Sequence, residues 1–304
     1  MPHLHPPLSI IIPHFNQPEE LSCCLSALLT ASGSDSLDVI VVDNGSKIFP
    51  DGVAAQFPVV RFLKEPTPGP GPARNAGVAA AKSDWIAFID ADCVPNTGWT
   101  DVIRRELAAT ADILGGEVRI GLVDPRRPTI WEAYESQYGF RMDKYVRREG
   151  FSGAGNLAMG RGIYDAVGGF AGIGVAEDRD WGLRALAKGF RTRYVGDMIV
   201  YHPARKSWAE IARKWDRQTA HQYVDHRSQP LGRLKWTLRS VAMVISPLVE
   251  LPKIVLSSRI PGGLRGRALC AAALIRTRLY RTGLMLRLLV TDDPDQLANR
   301  WRKS

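Results

Sequence analysis

Cysteine is scarce, with four residues in a chain of 304. Cys23 and Cys24 are adjacent, which would strain a disulfide between them, and no cysteine spacing resembles a zinc site. All four are expected as reduced thiols, mostly filling core, as in the cytosol. Long apolar runs are also missing. Val241 to Leu256 is broken by Pro247, Glu250, Pro252 and Lys253, and Ala268 to Val290 by Arg276, Arg278, Arg281 and Arg287. A spanning helix wants about 20 apolar residues with few charges, so no membrane crossing is expected. Met1 to Pro7 has neither a basic segment nor a long apolar one, which excludes a secretory signal as the reading of that segment. His3 and His5 read as part of a solvated end.

Acidic residues thin out sharply towards the C-terminus. Residues 1–202 hold 20 Lys/Arg and 24 Asp/Glu, a net of −4, whereas residues 203–304 hold 20 and 7, a net of +13. The excess of +9 therefore lies wholly in the last third. Such asymmetry points to an anionic partner, either lipid head groups or nucleic acid. Nucleic-acid grooves interleave Arg with aromatics, yet the tail interleaves Arg with Leu and Ala, so a membrane surface is expected and nucleic acid is not. On a helical wheel Arg276, Arg278, Arg281 and Arg287 share one half. Ala268, Ala272, Ile275, Leu279, Leu286, Leu289 and Val290 share the other, the pattern of a helix lying in a membrane interface; the alternative is a pair of helices packed on the preceding domain with the Arg solvated.

What is present is a globular core, 45% hydrophobic and 8% aromatic, in an alternating α/β order. Leu8 to Ile12 reads as a buried strand, followed by a helix with Leu21, Leu25, Leu28 and Leu29 on one face. Val39 to Val42, Val59 to Leu63 and Trp85 to Ile89 read as further strands, and Ala73 to Ala81 as a helix. This order predicts an α/β fold with a mostly parallel central sheet flanked by helices. After about residue 120 the pattern is less regular, with a helix expected over Glu177 to Lys188 and an edge or antiparallel strand over Arg193 to Tyr201. The composition divides the chain into a domain over 1–229 and a basic amphipathic helical tail over 230–304.

In open α/β sheets ligands sit beyond the carboxyl ends of the strands. Pro13, His14 and Phe15 follow the first strand, Asp43 the second, and Asp90-Ala91-Asp92 the fourth. Asp43-Asn44-Gly45-Ser46 is also good turn chemistry in its own right. Two alternate carboxylates at a strand exit can meet a hard cation and a diphosphate, since Mg2+ and Mn2+ bind through one or two carboxylates plus phosphate oxygens. Glu177, Asp178 and Asp180 crowd a helix start, where they also complement the helix dipole.

Five segments together carry a resemblance: Leu8-Ser-Ile-Ile-Ile-Pro13, Val41-Val-Asp-Asn-Gly-Ser46, Gly71-Pro-Ala-Arg-Asn-Ala-Gly77, Phe88-Ile-Asp-Ala-Asp92 and Glu177-Asp178. In order and approximate spacing the chain resembles glycosyltransferase family 2, with the GT-A nucleotide-sugar fold, over roughly residues 8–202. The resemblance implies that Pro13, His14 and Phe15 border a nucleotide base, that Asp43 accepts a hydrogen bond from it, and that Arg74 and Asn75 line the same pocket. Asp90, Ala91 and Asp92 would hold the nucleotide sugar and, with His202, a Mn2+ or Mg2+ ion. Asp178 would be the general base, with Asn156, Glu177 and Trp181 on the acceptor side. The loop Pro66-Thr-Pro-Gly-Pro-Gly-Pro72 departs from the family pattern in its four prolines, which should stiffen it.

The resemblance further implies inverting transfer of a single sugar from a UDP-, GDP- or dTDP-sugar to a hydroxyl of a lipid-linked or cell-surface glycan, on the cytoplasmic side of the membrane and peripheral to it. Lys214-Trp-Asp-Arg-Gln218 differs in order from the signature of processive members, and long spanning segments are absent, so polymer synthesis is not expected. The alternative reading is a catalytically inactive nucleotide-sugar-binding or scaffold protein, against which the presence of both Asp92 and Asp178 argues.

Overall fold

The computed structural model describes residues 7–31, 37–173 and 175–294; His3 and His5 lie outside them. The first half runs β1 (Leu8–His14), α1 (Pro18–Ala31), β2 (Leu37–Asp43), α2 (Asp51–Gln56), β3 (Arg61–Lys64), α3 (Pro70–Ala80), β4 (Trp85–Ile89), β5 (Val94–Pro95), α4 (Trp99–Ala109) and β6 (Ile113–Gly121). It continues with α5 (Ile130–Tyr138), α6 (Met142–Glu149), β7 (Asn156–Gly160), α7 (Arg161–Val167), α8 (Glu177–Ala187) and β8 (Thr192–Pro203). Three long helices follow: α9 (Trp208–Arg227), α10 (Gly232–Leu256) and α11 (Gly263–Thr291).

The chain divides into two compact units, Met1–Arg119 with Phe140–Pro203, and Ile120–Gly139 with Ala204–Ser304. The first is built on a sheet of strand order β3-β2-β1-β4-β7-β6-β8-β5. Its β3-β2-β1-β4 half is parallel, as the alternating order requires. Beyond β4 the expectation of a mostly parallel sheet gives way, because β7 runs antiparallel to both β4 and β6, and β5 antiparallel to β8. The chain leaves β6, passes through α5 and α6, and returns as β7 against the direction of both neighbours. Ile10, Ile11 and Ile12 are fully buried, as are Ile86 to Ile89. Unbroken apolar runs like these belong to strands covered on both faces.

The four-proline loop resolves into a helix start. Gly69 takes φ +118°, and Pro70 and Pro72 occupy the first turn of α3, where a missing N–H costs nothing. Asn44 fastens the loop: its side-chain N–H donates to the carbonyls of Glu65 (3.0 Å) and Thr67 (2.7 Å), and its oxygen accepts from Gly69 N–H at 2.6 Å. Close approach dictates two glycines of α3. A Cβ at Gly77 would lie 2.3 Å from Ile11 Cγ2, and one at Gly71 would lie 2.0 Å from the Ala171 carbonyl oxygen.

In the second unit, Trp131, Ala133 and Tyr134 of α5 pack with Ile211 of α9, Ile254 of α10 and Cys270, Ala273 and Leu274 of α11. Ala220 and Tyr223 of α9 pack with Trp236 and Met243 of α10 and Leu284, Met285 and Leu288 of α11. The boundary expected at 229/230 therefore falls inside this unit, since α9 shares its core with the helices that follow it. A capping box starts α5, with Thr129 and Glu132 satisfying each other's backbone N–H groups. Among the described residues no helix is long and apolar enough to cross a membrane.

The expected two-sided wheel of α11 is half right. Ile275, Leu279, Leu286 and Val290 are exposed along one stripe. The arginines, however, do not form one solvated face: Arg281 is only 5% exposed and its guanidinium sits 3.9 Å from the Trp215 ring centroid, while that of Arg276 sits 4.1 Å from Trp208. Planar guanidinium groups stack well on aromatic faces, which holds Arg281 inside, while Arg276 stays exposed beside its ring. Cys24, Cys93 and Cys270 are buried free thiols, and Cys23 is an exposed one.

Candidate active site

Parallel pairing brings the functional strand ends to one edge of the first unit. His14 is in register with Asp43, and Nδ1 of His14 lies 2.9 Å from Asp43 Oδ1 with both side chains buried. The His14 Nε2 accepts from Gln17 N–H at 3.2 Å, so the proton sits on Nδ1 and is donated to Asp43. Asp43 Oδ2 accepts from Ser46 N–H at 3.2 Å. Each Asp43 oxygen thus holds one bond and keeps a lone pair. Pro13 is half-buried beside them, and Phe15, at 56% exposed, projects beyond the strand end. An exposed ring next to a free acceptor is what a planar heterocycle can stack on and pair with.

Arg74, on the first turns of α3, is buried and bridges two acids. It donates to Asp90 Oδ1 at 2.7 Å and to Glu177 Oε1 at 3.0 Å. Burial works against its charge, and the two carboxylates overcome that and hold its proton more firmly. Its Nε has no partner in the structure. Arg74 therefore acts through Asp90 and Glu177 and orients both. Asn75 is placed differently from the pocket-lining role expected of it. Its oxygen accepts from Tyr164 Oη (2.7 Å) and Phe170 N–H (2.8 Å), and its amide donates to the Phe170 carbonyl at 2.9 Å. The side-chain polar atoms of Asn75 are thus engaged by Tyr164 of α7 and by the backbone of Phe170.

Asp92 lies one alternate position beyond Asp90, with the buried Ala91 between them. Its Oδ2 is 3.3 Å from His202 Nε2. His202 Nδ1 is 2.7 Å from the Pro203 carbonyl, which can only accept, so Nδ1 donates to it and Nε2 is turned towards the carboxylate. The Phe140 ring packs against this imidazole with centroids 4.5 Å apart. Burial raises Asp92 above the usual carboxylate range, with His202 opposing and Asp90 adding to the rise. The Gln17 side chain hydrogen-bonds the same carboxylate. An imidazole nitrogen and a carboxylate oxygen converging in this way are a donor set that fits Mn2+, and the backbone-anchored Nδ1 is the usual outer support of a ligating histidine. Asp90 stands apart from this pair, its Oδ1 bound to Arg74, and among the described residues no three acidic, His or Cys side chains form a metal cluster.

Asp178 opens α8. Its Oδ1 accepts the N–H of Arg179 at 2.7 Å, and a Cβ on Gly153 would come within 3.7 Å of its Oδ2. Burial, and then the Glu177 charge, push its carboxyl up. The glycine loop before β7 lets both acids approach: a Cβ at Gly155 would stand 2.4 Å from Asp90 Oδ2.

Two acceptor-side expectations are corrected. Asn156 is fully buried. It accepts from Trp99 Nε1 at 2.9 Å and donates to the carbonyls of Glu117 (2.9 Å) and Met198 (2.8 Å), so it ties β7 to its neighbours and offers a sugar nothing. Trp181 is 1% exposed, donates to the Gly168 carbonyl at 2.8 Å and stacks on Phe170 with centroids 5.3 Å apart, as a core residue. The sequence reading passed over Gln17 and Asn44. Gln17 carried no signal beyond its place after a strand end, whereas Asn44 stood in a turn motif that asked for it.

A family model described as Glycosyl transferase family 2 matches residues 9–174. Glycosyltransferase AglE of Haloferax volcanii is 29% identical over 69% of this chain and 70% of its own. The pre-mycofactocin glycosyltransferase of Mycobacterium tuberculosis is 28% identical over 84% of this chain, which spans only 57% of that protein. Among solved structures, a mannosyltransferase of Pyrobaculum calidifontis in complex with GDP-Man and Mn2+ superposes with a TM-score of 0.57 at 18% identity, covering 100% of this chain and 89% of its own.

Proposed function

The chain belongs to glycosyl transferase family 2 and has the GT-A fold, and we propose that it moves a single sugar, with inversion, from a sugar nucleotide to an acceptor hydroxyl. The observation that carries this reading is the pairing of two sites on one edge of the sheet. Asp92 and His202 offer a converging carboxylate oxygen and imidazole nitrogen, and Asp178 stands beside the Gly153 loop, without an ion pair among the described residues.

Phe15 stacks the base, while Asp43, held by His14 and Ser46, accepts from a ring N–H of uracil or guanine. Asp92 and His202 would hold a divalent ion, Mn2+ or Mg2+, which would supply charge neutralisation for a departing diphosphate. The resemblance to a fold solved with GDP-Man and Mn2+ supports this choice of partner. Arg74 fixes Asp90 and Glu177 in place. Asp178 takes the proton of the acceptor hydroxyl as that oxygen becomes a nucleophile, and its raised proton affinity suits a general base. Inversion needs one such carboxylate, on the face opposite the leaving group.

The acceptor we propose is a lipid-linked or cell-surface glycan met at the cytoplasmic face of a membrane. On α10, Leu234, Leu238, Val241, Ile245 and Leu248 form an exposed apolar stripe with Val244 and Val249 beside it. The net charge of +13 over residues 203–304 matches this stripe to an anionic lipid surface. A donor screen with each sugar nucleotide, read by NMR of the product's anomeric configuration, tests the reaction class. A product that retains the donor configuration defeats the mechanism.

A further inference from the structure

The second unit contains a buried positive charge, Arg281, that has no counter-ion among the described residues. Arg281 is 5% exposed, and Arg239 and Arg278 lie close enough for the three guanidiniums to repel one another. Burial and that repulsion push Arg281 down to about 10 and lower Arg239 as well. Their other contacts are neutral: Arg239 donates to Gln222 Oε1 at 3.1 Å and faces His226 Nε2 at 3.4 Å, and Arg278 Nη1 lies 3.0 Å from Met243 Sδ. The nearby acids are engaged elsewhere. Glu135 holds Arg205 and Lys214, Asp216 accepts from Tyr280 Oη at 2.7 Å, and Glu250 pairs with Lys253 at 2.5 Å, although its field reaches Arg278. Among the described residues none of the three arginines has a carboxylate within 4.0 Å.

Four buried polar atoms in the same place have no partner: Trp215 Nε1, Thr219 Oγ1, Arg278 Nε and Arg281 Nε. Trp215 and Thr219 share a face of α9 at i, i+4, and Arg278 and Arg281 share a face of α11 at i, i+3. The 3.9 Å contact of the Arg281 guanidinium with the Trp215 ring joins the two faces. Buried polar atoms are nearly always satisfied, and buried charge nearly always paired. Three of the four are N–H donors, and beside three guanidiniums an acceptor-rich anion meets both the unpaired donors and the uncompensated charge, which a water does not. Guanidinium forks match the oxygens of phosphate, and a tetrahedral group can meet donors arriving from two helices at once.

We infer that Arg239, Arg278 and Arg281, with Trp215 and Thr219, form a binding site for a phosphate monoester. No residue of it belongs to the donor or acceptor residues of the first unit, so it goes beyond the transfer reaction. The group arrives either as free phosphate or as the head of a lipid phosphate. Met243, beside Arg278, sits between the exposed Val241 and Val244 of the α10 stripe.

Thermal unfolding of the full chain in chelator is the test, because chelation silences metal-dependent diphosphate binding. The additions are inorganic phosphate, sodium chloride at matched ionic strength, phosphatidylcholine vesicles, and the same vesicles with phosphatidic acid. A rise in Tm with inorganic phosphate assigns a soluble ligand; a rise only with phosphatidic acid assigns a lipid head group. In either case R281Q, R278Q and R239Q should each weaken the half-maximal concentration at least about tenfold, while Mn2+-dependent titration of UDP or GDP is unchanged. Without phosphate the variants should unfold at or above the wild-type Tm, because each removes self-repulsion. No rise with any phosphate, a rise that all three variants keep, or a common large fall in their basal Tm overturns the site.

Discussion

His202 holds its Nε2 3.3 Å from Asp92 Oδ2 while its Nδ1 is fixed at 2.7 Å to the carbonyl of Pro203. Nitrogen and carboxylate converge on one point, where a divalent cation can take the place of a shared proton. Isothermal titration of UDP and GDP should therefore show binding at least about tenfold tighter with Mn2+ than with chelator. His202→Ala should lose about tenfold of that gain, since Asp92 and the diphosphate remain. Equal affinity with and without metal removes the metal from the mechanism.

Asp178→Asn keeps the size of the side chain and removes its basicity. Turnover should fall at least about a hundredfold with donor affinity nearly intact. The wild-type kcat/KM should show an acid limb above the ordinary carboxylate range, because burial and Glu177 raise the proton affinity of Asp178. The sign for stability is opposite to that of a salt-bridged acid. The folded state binds this proton more tightly than the unfolded chain, so Asp178 stabilises as pH falls through its raised folded value and destabilises at neutral pH. Asp178→Asn should then unfold at a higher temperature than wild type at pH 7. Near wild-type turnover in the variant would mean that another group is the base.

Asn156→Ala should destabilise by about 2–4 kcal/mol in denaturant titration, because it removes three buried hydrogen bonds and strands two carbonyls and an indole N–H. The KM for acceptor, measured on the folded fraction, should not move. A selective change in acceptor KM would return Asn156 to the substrate.

The parallel half of the sheet and the strand-end acids were legible because each rests on a local pattern: apolar runs of strand length, and polar residues where those runs stop. Asn156 and Trp181 were not, because a sequence motif records residue type but not which neighbours consume its polar atoms. Asn75 shows the same limit, its amide taken by Tyr164 and Phe170 from far along the chain. The α11 arginines were misplaced on the wheel for a related reason. Helical periodicity separates two faces, and only the tryptophans of α9 decide which of them turns inward.

Gly155→Ala should weaken donor binding about tenfold or more while leaving the protein folded. A methyl group there would stand 2.4 Å from Asp90 Oδ2 and would drive the carboxylate off Arg74. The measurement is Mn2+-dependent nucleotide titration beside far-UV circular dichroism. Unchanged affinity would show that the Asp90–Arg74 pair is dispensable.

The double variant I245E/L248E should stop co-sedimenting with anionic vesicles and keep wild-type helicity, since both residues are more than half exposed. Truncation after residue 229 is a poorer probe, because it would uncover Trp131, Tyr134 and Ile211. Retained sedimentation of the double variant would move lipid contact away from α10.

The packing of α5 against α11 has a consequence during synthesis. Trp131, Ala133 and Tyr134 emerge from the ribosome long before Ile254, Cys270 and Leu274 exist to cover them. The first unit likewise waits, since its strands β7 and β8 follow the excursion through α5. A nascent chain halted before α11 must therefore carry a bare aromatic cluster for the whole interval, a natural recognition mark for chaperones that bind exposed apolar surface.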